Sequence, residues 1–451
     1  MTASTARLWS HSERPLIDSI KPQRVARRPR AAHMQEAKMA NRILTTHVGA
    51  LPTPKKLVEL AHQRSLGEKF DKAAYDREIK DGVEDVVRHQ KQVGVDLVND
   101  GELPHNVGWA WDYGAWWSYV IPRLDGVEAV KSGLWGSTLS AQTKTPMAPN
   151  DFVVSDWGER RDMAKFQEAY MDPHSGCGIP EQWMTEHHPA AKGPIKYKGQ
   201  ADIKRDIANL KAALKAAGIE EGGYINSIAP ASVSRMANEY YKSEEELMHA
   251  CADAMREEYK AIIDAGLSVQ LDDPAFAENW DQSKKEPSVE GYRRYTEKCV
   301  EILNYAIRGL PQEKIRFHLC WGSWHGPHTT DIPMKHLVDL MLQINAGAYS
   351  FEAANARHGH EWKLWKDIKL PAGKVIMPGI VSHSTNLIEH PELVADRIVN
   401  FAEAVGRDNV VASTDCGLGG RVHPQIAWAK LEALAQGAEL ATKRLWRQAA
   451  A

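Results

Sequence analysis

Cysteine is scarce here: five residues in 451, an odd number. That usage excludes a disulfide framework and points to a reducing compartment, the cytoplasm. No apolar run reaches about 18 residues, so no membrane-spanning helix is expected. Charge of one sign is not in excess either. Lys and Arg total 56 against 59 Asp and Glu, a net charge of −3. Neither nucleic acid nor a membrane surface would gain a global attraction from that balance. No G-x-G-x-x-G follows the first expected strand, which weakens a doubly wound dinucleotide fold. The late CGLGGR lacks the spacing. No internal repeat interrupts the chain.

Some stretches stand apart. Residues 1–40 read as a disordered basic tail. Within residues 1–38, eight Lys/Arg face three acids, and Arg27, Arg28, Pro29 and Arg30 are adjacent. No apolar core follows them, so a secretory signal is excluded. A low acid content gives a weak transit-peptide character, and an upstream start ahead of Met39 is the other reading. The fold is expected to occupy residues 41–446. Fifteen tryptophans are many, and Trp109, Trp111, Trp116, Trp117 and Trp135 crowd one stretch. They read first as a packed lid or an oligomer contact, and alternatively as a wall around a flat or cationic ligand.

From residue 43 onward, strand and helix signals alternate. Apolar runs at 43–51, 95–102, 223–230, 268–274, 315–322, 348–354, 375–382 and 410–416 read as parallel strands. Amphipathic helices separate most of them. The clearest spans 244–265, with Ser243 and Glu246 as a capping box and Gly266 as its stop. Its helical spacing makes Cys251 a core residue. Eight such units predict a (β/α)8 TIM barrel. The stretch 151–200 breaks the alternation and reads as an insertion over the C-terminal face. Ile195–Tyr197 would be an extra strand within it. Cys177, His187 and His188 read as exposed loop residues.

Ligand-type residues gather at strand ends. His318 and Cys320 in HLCWG are two apart, so both face one side of a strand. Glu352 ends the next strand in FEAA, and Cys416 ends the last in TDCGLGG. Two thiols, an imidazole and a carboxylate suit zinc better than magnesium. The competing reading is a core histidine beside a buried thiol. A set this rich in negative charge favours binding an incoming thiol, which loses its proton on coordination, over generating hydroxide.

The segments THVGALPTP, VNDGELPHN, VQLDDPAFA, HLCWG, FEAA and TDCGLGG, in that order, resemble the catalytic barrel of cobalamin-independent methionine synthase. The resemblance covers nearly the whole chain after Met39. It implies a zinc-dependent thiol methyltransferase with His318, Cys320, Glu352 and Cys416 as zinc ligands. It further implies that Glu102 and Asp272 hold the ammonium of homocysteine. Backbone groups of Gly49, Ala50 and Leu51 would hold its carboxylate. His383 in IVSHSTN lies near the family's proton-moving histidine, one residue out of register. Long members carry a second barrel that helps bind folate. This chain matches only the catalytic half, which puts the folate donor in doubt and leaves folate or a corrinoid as the expected methyl donor. The short relatives also include epoxyalkane:coenzyme M transferases, which makes another thiol and an epoxide the alternative substrates. An oligomer is possible.

Overall fold

The protein is described by a computed structural model over residues 41–65, 71–105, 119–131, 152, 154, 160–172, 174–177, 187–283 and 285–447. The basic tail, the clustered tryptophans and much of the 151–200 stretch lie outside those residues.

Seven parallel strands form one curled sheet. They are β1 (Leu44–Thr45), β4 (Tyr224–Ile228), β6 (Ser268–Asp273), β7 (Ile315–Leu319), β8 (Ala348–Phe351), β9 (Val375–Val381) and β10 (Val411–Thr414), in the order β1-β10-β9-β8-β7-β6-β4. Helices of three turns or more cover the outside. These are α1 (Lys55–Ser65), α2 (Lys72–Gln92), α3 (Gln200–Ala216), α4 (Glu244–Asp264), α5 (Val289–Ala306), α6 (Pro391–Val405) and α7 (Pro424–Arg447). The strands are buried on both faces, as the apolar run Val375–Val381 illustrates, because helices cover one side and side chains fill the other.

The expected strand at 95–102 is not a regular strand. The Asp96 carboxylate accepts the Thr45 amide at 2.9 Å, taking a bond that a ladder would otherwise use. Even so, the segment bonds on both sides. Asp96 and Leu97 amides donate to Thr45 O, Val98 N donates to Gly222 O, and Tyr224 N donates to Val98 O. The expected strand 43–51 shortens to two residues for a related reason. Beyond Thr45 its carbonyls turn to side chains: Tyr224 Oη donates to His47 O at 2.5 Å and Asn226 Nδ2 to Val48 O at 2.7 Å.

A second, three-stranded sheet lies apart. β2 (Leu124–Lys131) pairs antiparallel with β3 (His187–Tyr197), and β3 pairs parallel with β5 (Ala237–Asn238). The expected strand at 195–197 is the end of β3, and the backbone of His187 and His188 begins it, not a loop. A buried ion cluster anchors this sheet to helices α3 and α4. Arg123 bonds Glu258 of α4 at 3.0 Å and Asp206 of α3 at 2.6 Å. Tyr119, Tyr197 and Ser227 hydroxyls all donate to the same Glu258 carboxylate. So many donors are what make a buried carboxylate tolerable. Further along, residues 160–172 dock on the loops that follow β6 and β7. Asp162 accepts the amides of His328 and Thr329, and Arg160 pairs with Glu278.

Helix α4 begins as its capping box requires, with Ser243 Oγ accepting the Glu246 amide at 3.1 Å. Cys251 is fully buried on it. Among the described residues, no helix is long and apolar enough to cross a membrane.

Candidate functional site

The C-terminal ends of the parallel strands place the ligand-type residues, as the alternation of side chains along a strand dictates. In β7, Arg316 and His318 share one face, and Cys320 continues it. Arg316 forms the floor. Its guanidinium lies 3.6 Å from the centre of the Tyr224 ring and donates to Thr46 Oγ1 and His47 O. Above it, His318 Nδ1 meets Ser350 Oγ at 3.1 Å. His318 Nε2 is buried without a hydrogen-bond partner.

His318, Cys320 and Cys416 bring their ligand atoms within 4.8 Å of one another. The two sulfurs are 4.0 Å apart. Two thiolates on one tetrahedral zinc, each about 2.3 Å from it, would lie about 3.8 Å apart. The spacing and the orphaned imidazole nitrogen therefore fit a zinc ion. The hydrogen bond between the two thiols holds Cys416 well below the usual thiol range and pushes Cys320 well above it. Burial works against a charged His318, but Cys416 and Asp272 outweigh it and raise the imidazole.

Glu352 sits beside this trio in a second buried group, with His383 and Asp415. Its Oε1 accepts the Trp321 amide at 3.1 Å and its Oε2 accepts Asn355 Nδ2 at 2.7 Å. Burial, then the neighbouring Asp415, raises its carboxyl well above the ordinary range. Asp415 Oδ1 takes the amides of Ala353 and Ala354, both at 2.7 Å. Gly379 makes room for it, since a Cβ there would come within 2.1 Å of that oxygen. The β9–β10 register shifts at Ser413–Thr414, a local irregularity that redirects the chain just before Asp415 and Cys416. His383 follows β9. Burial pushes its imidazole down to about 3, so it is neutral, and its Nδ1 has no hydrogen-bond partner.

Close to His318, and to each other, lie the two acids. Glu102 stands in the left-handed backbone region, at φ 55°. Burial pushes its carboxyl up to about 8. Asp272 is next to last in β6, where Asn226 Nδ2 and Gln270 Nε2 donate to its two oxygens at 2.9 and 2.8 Å. Burial raises it to about 7. Gly49 leaves room for the Glu102 carboxylate and for Asn226. A Cβ on it would fall 1.7 Å from Glu102 Oε1 and 2.6 Å from Asn226 Nδ2. The loop around Gly49 is tightly held. Ala50 O accepts the amides of Leu418 and Gly419, and the Leu51 amide is committed to Gly101 O. Gly419 has no room for a side chain, because a Cβ would lie 2.3 Å from Leu51 O. Arg421, on the same loop as Cys416, donates to Ser323 Oγ at 2.8 and 3.1 Å.

Three residues that sequence reasoning passed over stand out. Asn226 and Gln270 orient Asp272, and Asp415 braces the loop that carries Glu352. Gln270 carried a signal, being two residues before Asp272 and so on its face. Asn226 is a polar residue in the middle of β4, beside Ser227. Asp415 is masked by its neighbour Cys416. Cys177, in contrast, stays away from the site, its thiol near Ala169 O and Ser175 Oγ.

Residues 208–440, just over half the chain, match the family described as cobalamin-independent synthase, catalytic domain. A methionine synthase from Sulfolobus acidocaldarius is 22% identical over 380 residues, spanning 83% of this chain and 85% of that one. One from Saccharolobus solfataricus is 27% identical over 214 residues, 47% of this chain and 55% of its own length. In fold, the chain is similar to a B12-independent methionine synthase from Shewanella sp. W3-18-1 solved with selenomethionine. That likeness has a TM-score of 0.63 at 20% identity, covering 90% of this chain and 99% of the other. Taken together with the strand-end residues, these likenesses place the chain in the cobalamin-independent methionine synthase family, methyltransferases of methionine biosynthesis.

Proposed function

We propose that this protein is a zinc-dependent S-methyltransferase that converts homocysteine to methionine. The observation that carries the reading is the convergence of His318, Cys320 and Cys416 at strand ends, close to the buried pair Glu102 and Asp272. His318, Cys320 and Cys416 would hold the metal, with Glu352 completing the set. Zinc bound there supplies Lewis acidity that lets a thiol lose its proton near neutral pH.

The remaining work falls to the chain. Glu102 and Asp272 bind the substrate ammonium by charge-assisted hydrogen bonds. With the Leu51 amide committed to Gly101, the substrate carboxylate falls to the Gly49–Ala50 backbone. Anchoring both ends of the amino acid leaves the sulfur one direction, toward the thiol side of the barrel. The sulfur then attacks the methyl carbon. A sulfur–carbon bond forms, the donor–methyl bond breaks, and the donor departs with the electron pair. His383, buried beside Glu352, would relay a proton, taking one up and handing it to a departing nitrogen donor. We read the frame as a closed eight-fold barrel, with the 95–99 segment as its eighth stave. The bonds that segment makes to both β1 and the β4 side support this.

The test is product analysis. Zinc-loaded protein is incubated with homocysteine and methyl donors of two classes, methyl folate and methyl corrinoid. A parallel incubation holds coenzyme M and an epoxide. Methionine from either methyl donor supports the reading. A thioether only from the epoxide incubation replaces it with the alkyltransferase reading.

A further inference from the structure

We infer that His358 is a positioning residue for the metal site, acting on Glu352 through Asn355 and Trp321 without touching the metal. The inference rests on the metal reading given above.

His358 is the hub of a buried network joining the loops after β7 and β8. Its Nδ1 meets Glu361 Oε2 at 2.9 Å and its Nε2 meets Asp331 Oδ2 at 3.1 Å. Both carboxylates are themselves held. Glu361 Oε1 accepts the Met334 amide, and Asp331 also faces His328 Nδ1 at 3.1 Å. An imidazole with a carboxylate on each nitrogen is held in one rotation, donating from both nitrogens. The ring therefore presents one rigid face, and Trp321 stacks on it with centroids 4.0 Å apart and planes 26° from parallel. Trp321 is pinned at its far end by Nε1 donating to Ile332 O at 2.8 Å.

From this hub two arms reach Glu352. One is the Trp321 backbone, whose amide donates to Glu352 Oε1. The other runs through Asn355. The His358 and Arg357 amides both donate to Asn355 Oδ1 at 2.9 Å. That leaves the Asn355 amide group facing Glu352 Oε2 at 2.7 Å. Both oxygens of the carboxylate are thus aimed by groups that contact His358, Trp321 through its ring and Asn355 through its backbone amide. Trp321 also follows Cys320 directly, so the same stack fixes the thiol's backbone. Outer partners of this kind typically change metal affinity by about 10–100-fold when removed.

The experiment compares the parental protein with His358→Gln and Asn355→Ala. Zinc affinity is read by competition with a chromophoric chelator. Cobalt(II)-loaded samples are read by their visible ligand-field bands, well below each variant's melting temperature. The expected result is about a 10-fold or greater loss of zinc affinity in His358→Gln. Asn355→Ala, which removes one arm only, should lose less. The cobalt bands should shift in both, which a merely destabilised loop would not cause in folded protein. If His358→Gln does not fold, His358→Asn, whose side-chain amide can still meet one of the two carboxylates, carries the decision. Zinc affinity within twofold of parental and unshifted cobalt bands in the folded variants would overturn the inference. Failure of the parental protein to bind zinc would instead remove the metal reading on which it rests.

Discussion

Substituting Glu102 by Gln asks whether the buried acids choose the substrate. The pocket was built at a cost. Glu102 is 6% exposed and Asp272 2%, and burial holds their carboxyls up to about 8 and about 7. Near pH 7 the empty pocket therefore keeps Glu102 mostly neutral, about 1.4 kcal/mol from ionising. An arriving ammonium supplies the missing counter-charge and draws the proton off. Removing one partner of such a buried pair costs about 2–5 kcal/mol, or roughly 30- to 5,000-fold in affinity.

The sign of the pH dependence follows. The carboxylates must be charged to hold an ammonium. Affinity for homocysteine is therefore full above pH about 8 and falls as pH drops through 8 and 7. Each carboxylate that must release a proton contributes about tenfold per pH unit below its own value. Calorimetric titrations of homocysteine and mercaptoethanol at pH 6, 7 and 8 separate this effect from the thiol's own proton. Homocysteine should lose affinity more steeply toward pH 6, and Glu102→Gln should flatten the difference. Glu102→Gln should also leave mercaptoethanol within about threefold, because that thiol has no ammonium to lose. An equal loss for both thiols would refute the reasoning. The acid would then serve the fold or the chemical step, and the amine-free alkyltransferase substrates would come forward.

Three other perturbations have defined outcomes. Cys320→Ser and Cys416→Ser should each purify with well under one zinc per chain by elemental analysis, since the metal loses one of two sulfurs only 4.0 Å apart; full retention in both would sink the ligand assignment. Gly49→Ala should raise the KM for homocysteine at least about tenfold in protein that remains folded, because the added methyl must displace the Glu102 carboxylate; an unchanged KM would show that the acids do not face the substrate. His358 is held up to about 10 by Asp331 and Glu361 against the cost of burial. A raised base stabilises fully below its unfolded value near 6.5, and that stabilisation is lost as pH rises through about 10. Denaturant unfolding should therefore lose about 1.4 kcal/mol per pH unit more in parental protein than in His358→Gln across that window, roughly 5 kcal/mol at most; parallel curves would refute the buried imidazolium.

The sequence made strand ends legible because buried parallel strands read as apolar runs, and a period of two tells which residues share a face. His318 with Cys320 is such a case, and so is Gln270 with Asp272. What the period cannot say is what comes across to meet a residue. Asn226 orients Asp272 while bonding Val48 O, 178 positions earlier in the chain. Nothing within β4 announces that partner. The 95–102 segment failed as a regular strand for the same reason, since a single side chain, Asp96, took over the bond of Thr45.

Glu352 shows where the boundary falls. Its place at the end of β8 follows from FEAA closing an apolar run. Its orientation does not, because that depends on the Trp321 amide after a neighbouring strand and on Asn355 in its own loop. Those two are set in turn by a histidine wedged between Asp331 and Glu361, residues that read locally as polar loop. A ligand's identity is thus a local property, and its aim is a tertiary one. Any variant that alters the HGHEW loop should therefore be judged by what it does to Glu352, not by its distance from the thiols.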